Sequence, residues 1–396
     1  MFEAIPLLPP DPILGLTEAV QRDPRPHKIN LSVGVYRDDR GQTPVLRCVK
    51  VAEQRLLESE ATKLYLPIEG LPTFNRLVPP LLLGDSHPAV TENRCATVQT
   101  PGGTGALRVA ADFVKRNFPR AQVWHSDPTW PNHPQIFSAA GVSVRAYAYY
   151  DATRREVDFA RLVDSLQQIP AGDVLLLHPS CHNPTGADPT AEQWRTLADI
   201  AAERRLIPLL DFAYQGFGSG LAEDAEAVRQ FCRPGMASLI CSSFSKNFAL
   251  YNERVGALTA VVDDPAQVEP VMSQLKAVVR SSYSNPPAHG AQIVATVLSD
   301  PSLRQQWYDE LRHMRERIQL MRSAFARTMS ECQTQRDFSF IQHQRGMFSF
   351  SGLTPVQVQQ LREQHAIYMV NNGRINVAGM SEATMAPLCQ AIAAVL

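Results

Sequence analysis

The sequence carries almost no net charge: 38 Lys and Arg stand against 39 Asp and Glu in 396 residues. So balanced a chain has no field that would gather a polyanion or an anionic surface, and neither nucleic acid nor membrane is an expected partner. Long apolar runs are missing too, since no segment reaches the roughly 18 residues of a membrane span. The opening Met1-Phe2-Glu3-Ala4-Ile5-Pro6 has neither the basic stretch nor the apolar run of a secretory signal. Seven cysteines (Cys48, Cys95, Cys181, Cys232, Cys241, Cys332, Cys389) are odd in number, scattered and without a C-x-x-C pair. That pattern speaks against a disulfide framework and for a reducing cytoplasm. Internal repeats and low-complexity tracts are absent, and the 30 prolines are spread out rather than gathered in a linker.

What is present is core-forming material: 44% of the residues are hydrophobic, enough at this length for a large domain and a smaller one. Short apolar runs alternate with helical patterns. Val174 to His178, Leu206 to Leu210 and Ala237 to Cys241 read as buried strands. Between the first two, Thr190-Ala191-Glu192-Gln193 is a capping-box pattern followed by Trp194, Leu197, Ile200 and Ala201 at helical spacing. Strand, helix, strand in this order predicts an α/β fold with a parallel sheet. Further on, Leu311, Met314, Ile318, Met321 and Phe325 form an apolar stripe. Arg312, Arg315 and Arg322 then read as the solvated basic face of a long helix.

Ligands of an open parallel sheet sit beyond the carboxyl ends of its strands. Three such ends are polar here: His178-Pro179-Ser180-Cys181-His182-Asn183-Pro184-Thr185-Gly186, Asp211-Phe212-Ala213-Tyr214, and Ser242-Ser243-Phe244-Ser245-Lys246. Singly, each has a bland reading. Asp211 suits a helix N-cap and Lys246 a surface charge, while His178, Cys181 and His182 lack the second ligand cluster of a zinc site, so no metal is expected. A fourth feature, Thr100-Pro101-Gly102-Gly103-Thr104-Gly105, opens a helical pattern with bare amides suited to a phosphate. It is not a Walker loop, and Arg108 stands where a dinucleotide fingerprint needs its third glycine. Gly216-Phe217-Gly218-Ser219-Gly220 also fails as a hydrolase elbow, because Phe217 occupies the place of a glycine. A lysine, an aspartate and a phosphate cradle with few other catalytic groups are what pyridoxal phosphate chemistry asks for. The lysine holds the aldehyde and the carboxylate keeps the ring nitrogen protonated.

Five ordered motifs then carry a family resemblance. Asn183-Pro184-Thr185-Gly186, Asp211-Phe212-Ala213-Tyr214, Ser243-Phe244-Ser245-Lys246-Asn247-Phe248, Asn252-Glu253-Arg254-Val255-Gly256 and Asn372-Gly373-Arg374 resemble class I aminotransferases. The chain is similar to the bacterial aspartate and aromatic-amino-acid branch from Asp11-Pro12-Ile13-Leu14 onward.

The resemblance implies fold type I: an N-terminal arm over 1–10, a large cofactor domain over 43–313 with a mostly parallel sheet, and a small α/β domain from 11–42 and 314–396. It implies pyridoxal phosphate on Lys246, Asp211 at the ring nitrogen backed by His133, Tyr214 and Asn183 at the phenolic oxygen, and Trp130 on the ring. Gly102, Gly103, Thr104, Ser243, Ser245, Arg254 and Tyr65 would surround the phosphate. Gly34, Trp130, Asn183 and Arg374 would serve the substrate, and Arg280 its distal carboxylate. Tyr65 and Arg280 would come from the neighbouring subunit of a homodimer. Asp127-Pro128 and Asn183-Pro184 match positions where relatives hold cis peptide bonds, so both are expected to be cis.

Val35, Thr43, Thr104 and Asn285 look like the aspartate branch, and Leu64 like the aromatic one. Aspartate is therefore the expected donor to 2-oxoglutarate, with an aromatic preference as the alternative. A lyase on the same scaffold fits Arg280 poorly. A regulator with an aminotransferase-like sensor would need a DNA-binding module ahead of Asp11, and a catalytically dead scaffold would be expected to have lost Lys246 or Asp211.

Overall fold

The computed structural model describes residues 2–7 and 13–396. Part of the expected N-terminal arm, and Asp11-Pro12 of the family pattern, lie outside the described residues. The chain divides into two compact units, one of residues up to Thr43 together with Arg317–Leu396, the other Pro44–Glu316.

The larger unit is built on a seven-stranded sheet. Its strands are β1 (Cys95–Pro101), β2 (Val123–Asp127), β3 (Val144–Ala148), β4 (Val174–Leu177), β5 (Ile207–Phe212), β6 (Ser238–Ser243) and β7 (Val255–Val261), in the order β1-β7-β6-β5-β4-β2-β3. Only β7 runs antiparallel to its neighbours. The three expected strands are all present, two of them one residue later at the start and two longer at the end, because Asp211 and Ser243 continue the ladder despite their polarity.

Helices Gly102–Asn117 and Val268–Ser282 pack on one face, where Ala106, Ala110 and Val114 meet Val98, Leu258 and Val279 in one core cluster. Their spacing of four places all three on one side of the helix. Thr190 and Gln193 close the capping box at the head of helix Ala191–Glu203 as the pattern required. The glycine run 216–220 wraps around a single carboxylate: Asp224 accepts the backbone N–H groups of Gly216, Gly218 and Ser219 at 2.8–2.9 Å.

In the smaller unit, strand Ile29–Asn30 pairs in parallel with Ile367–Tyr368, and Phe348–Phe350 antiparallel with Arg374–Asn376. Helix Pro301–Glu331, whose residues up to Glu316 belong to the larger unit and the rest to the smaller, carries the expected stripe, with Leu311, Met314, Ile318, Met321 and Phe325 all buried. Its basic face is a correction. Arg312 is exposed, but Arg315 donates to the Gly216 carbonyl at 3.0 Å and Arg322 is wholly buried. Helical periodicity reports which residues share a side, not what that side meets.

Both Asp127-Pro128 and Asn183-Pro184 are cis. No disulfide joins any of the seven cysteines. Among the described residues no helix is long and apolar enough to cross a membrane.

Candidate active site

One end of the large sheet collects most of the residues singled out by the sequence. Gly102 follows β1, Trp130 follows β2, Asn183 follows β4, Tyr214 follows β5 and Lys246 follows β6, so five strand ends open on the same side. Because β7 is reversed, its beginning, just after Arg254, lies at that end as well.

Asp211 is buried on β5. Its Oδ2 accepts from His133 Nε2 at 2.9 Å, and His178 Nε2 stands 3.7 Å away. Burial by itself would raise the carboxyl pKa, but the His133 hydrogen bond, with the Lys246 charge nearby, leaves it below the ordinary value. An ionised carboxylate only accepts, so His133 presents Nε2–H to it, and Nδ1 is hydrogen-bonded with the Thr129 hydroxyl at 2.8 Å. The ligand-type atoms of His133, His178 and Asp211 lie within 4.8 Å of one another, but with both ring nitrogens of His133 engaged no lone pair is left there for an ion. Burial drives His178 down to about 3, so it is neutral, and its Nε2 has no hydrogen-bond partner.

Around this trio the packing is aromatic. Trp130 meets His133 edge-on at 5.3 Å, and His182 stacks on Tyr149 at 4.0 Å while bonding Ser126 and Thr185. Asn183 is buried in the loop after β4, which Asp188 clamps by accepting the N–H groups of Cys181 and His182 at 2.7 and 2.8 Å. The Lys246 ammonium lies 4.8 Å from the centre of the Tyr214 ring.

The second half of the site is a hollow at a helix start. Gly102 opens helix Gly102–Asn117 with φ +74° and no side-chain cap, leaving the first amides available. A Cβ on Gly102 would stand 2.4 Å from Arg254 Nη2, one on Gly103 3.0 Å from Ser243 Cβ, and one on Gly256 2.4 Å from the Gly102 carbonyl carbon. Backbone leaves no room for a side chain at Gly256, the positive φ disfavours one at Gly102, and Gly103 is tight, so amides, the Ser243 and Ser245 hydroxyls and the Arg254 guanidinium stay close together. Arg254 donates to Ser245 Oγ at 3.3 Å and to the Tyr251 carbonyl at 2.9 Å. Such an assembly suits a phosphate dianion. Together with a buried ionised aspartate and a lysine that reaches it electrostatically, the residues fit pyridoxal phosphate.

Thr104 is exposed on the first turn of the same helix. Tyr65 is 90% exposed, and Arg280 is exposed with its guanidinium bonded to Ser284. Gly34 and Arg374 belong to the smaller unit, where both touch Phe348: the Arg374 guanidinium lies 4.2 Å above that ring, and a Cβ on Gly34 would stand 2.6 Å from its edge. Sequence reasoning missed Thr129 and Ser126, single hydroxyls in irregular positions with no period or motif to mark them. It weighed His178 as a metal ligand and overlooked it as a neighbour of Asp211.

A family model described as aminotransferase class I and II matches residues 26–392. The chain is 56% identical over 396 residues to an aspartate aminotransferase of Escherichia coli (strain K12), covering all of both chains. It is 46% identical over 397 residues to the aromatic-amino-acid aminotransferase of the same organism, again over both full lengths. The crystal structure of the aromatic-amino-acid aminotransferase from Burkholderia pseudomallei, covalently bound to pyridoxal phosphate, matches with a TM-score of 0.97 at 47% identity, over 100% of this chain and 99% of that one. The chain belongs to the class I and II aminotransferases.

Proposed function

We propose that the protein is a pyridoxal-phosphate-dependent aminotransferase that moves the amino group of L-aspartate to 2-oxoglutarate and uses aromatic L-amino acids less efficiently. The observation that carries this reading is the convergence of Lys246, the buried ionised Asp211 and a glycine-lined helix start at one sheet end. The cofactor, when bound, supplies an aldehyde that takes the amino group and a ring that accepts the electron pair of a broken carbon–hydrogen bond.

The chain's own residues do the rest. Lys246 anchors the cofactor and, once released by substrate, carries the proton between carbons. Asp211, steadied by His133, holds the proton on the ring nitrogen. Tyr214 and Asn183 donate to the phenolic oxygen, and Trp130 covers the ring. The Gly102 and Gly103 amides, Thr104, Ser243, Ser245 and Arg254 hold the phosphate. Arg374, whose planar fork matches a carboxylate, takes the substrate's α-carboxylate with Gly34 and Asn183 beside it. These roles place Gly34 and Arg374 in a small domain over 11–42 and 314–396, and the cofactor in the remaining 43–313. The amino group passes in two half-reactions, so ping-pong kinetics follow.

Tyr65 and Arg280 are assigned to the site of a neighbouring subunit in a homodimer, a reading supported by the exposure of Leu57, Leu64 and Tyr65. Arg280 would pair with the distal carboxylate of aspartate. Four aspartate-like positions, Val35, Thr43, Thr104 and Asn285, outweigh Leu64, which favours the aromatic alternative. Seven cysteines with no disulfide among them support a reducing, cytoplasmic location. The test is an absorbance spectrum of the purified protein before and after L-aspartate, with Lys246→Ala as control. A yellow band that shifts on adding aspartate and is lost in the variant is expected. A colourless protein reconstituted with cofactor to no effect would refute the reading.

A further inference from the structure

Arg322 is wholly buried on helix Pro301–Glu331, and its two terminal nitrogens meet five acceptors. Nη1 donates to the Ile341 carbonyl at 3.1 Å and to Ser349 Oγ at 2.5 Å. Nη2, with one of its two hydrogens shared, reaches the carbonyls of Arg345, Gly346 and Phe348 at 3.1, 2.7 and 2.8 Å. Filling a core position this way is costly compared with an apolar side chain of similar size, so the geometry these bonds impose is what they add. They fix residues 341–349 to the helix, and the last two of these begin strand Phe348–Phe350.

That strand carries the Phe348 ring, above which the Arg374 guanidinium lies at 4.2 Å. Arg374 sits opposite Phe350 on the paired strand, and its Nη2 donates to the Ser32 carbonyl at 2.7 Å. The guanidinium is thus held by a carbonyl and by a ring face. The place of that ring is set by the backbone that Arg322 clamps.

We propose that Arg322 is a positioning residue for substrate recognition, orienting the Arg374 fork through Phe348 and Ser349. The inference rests on the reading that Arg374 takes the α-carboxylate. Two parallel hydrogen bonds to a carboxylate depend on the plane of the guanidinium, and a lysine in place of Arg322 cannot satisfy five acceptors in that arrangement.

The experiment uses the holoenzyme and compares Arg322→Lys, Ser349→Ala, Phe348→Leu and Arg374→Lys. KM and kcat are measured for aspartate, phenylalanine and 2-oxoglutarate, with the cofactor absorbance and the thermal midpoint. The carboxylate beside the reacting carbon is common to all three substrates. Arg322→Lys is therefore expected to raise every KM about tenfold while kcat stays within about threefold and the cofactor spectrum is unchanged. Combined with Phe348→Leu, it should raise KM by less than the product of the single effects. A folded Arg322→Lys protein with a lower thermal midpoint and unchanged KM overturns the proposal. If that variant does not fold, Ser349→Ala and Phe348→Leu decide, since unchanged KM in both overturns it equally. No effect of Arg374→Lys on KM removes the carboxylate assignment itself. A large effect there with none from Arg322→Lys removes only the positioning role.

Discussion

Asp211 is held ionised chiefly by a hydrogen bond from the buried His133, with a neutral, buried His178 beside it, and this makes the trio sensitive in two ways. Asp211→Ala leaves His133 without its acceptor and removes the counter-charge of the proposed ring nitrogen, a change that costs about 3–5 kcal/mol for a buried pair. It should bind cofactor weakly and lose most turnover, while Asp211→Glu keeps part of both, as cofactor release and steady-state rates will report. The second sensitivity is to acid. His178 binds a proton at about 3 in the native protein, against an ordinary 6.5. Below pH 6.5 the unfolded chain therefore takes up a proton that the native state refuses. Stability then falls with pH by on the order of 1.4 kcal/mol per unit for one such group, until about pH 3. His178→Gln should flatten thermal midpoints measured between pH 6.5 and 4, without abolishing the slope, since burial depresses His182 in the same direction. Of this chemistry, Asp211, Lys246 and the glycine turn were legible as polar residues at strand ends. Thr129 was not, because a lone hydroxyl four residues before His133 leaves no pattern.

The reversed strand β7 matters because its beginning faces the helix start across a gap with no room for a side chain. A methyl group on Gly256 would stand 2.4 Å from the backbone of Gly102, and backbone cannot step aside as a side-chain tip can. Gly256→Ala should therefore push the helix start away from Ser243 and Arg254. The expected result is at least tenfold weaker cofactor binding, equivalent to about 1.4 kcal/mol, measured by equilibrium dialysis. Thr190→Ala is the contrasting case. It breaks a capping box at the head of helix Ala191–Glu203 and should cost about 1 kcal/mol of stability, with KM for aspartate unchanged. The contrast follows what could be read beforehand: the box was visible in four residues, and strands β4 to β6 in their apolar runs. The reversal of β7 was not, since an apolar run such as Val255–Val261 has the same composition in either direction. Arg322 was misread for a related reason, as the helical period puts it beside Arg312 and Arg315 but is silent on the loop that closes over it.

At the scale of the whole molecule, the proposed homodimer has two composite sites, each taking Lys246 from one subunit and Arg280 from the other. Mixing Lys246→Ala protein with Arg280→Ala protein should produce hybrids with one intact site and restore aspartate turnover; hybrids that form but stay inactive would exclude sharing. In the single variant Arg280→Ala, efficiency toward aspartate should fall far more than toward phenylalanine, because only aspartate loses a charged hydrogen-bonded pair. The arrangement of the large sheet also sets a timetable for biosynthesis. β1 lies at the sheet edge with β7 as its one neighbour, and the two pair across the register Cys95 with Val261. At roughly 5–20 residues per second, a ribosome needs roughly 8–30 s after finishing β1 to deliver the end of β7. Throughout that interval the nascent chain carries an edge strand with no sheet partner, its backbone groups and the Ala96 and Val98 side chains uncovered, so chains stalled before Val255 should be bound by chaperones that released full-length chains escape.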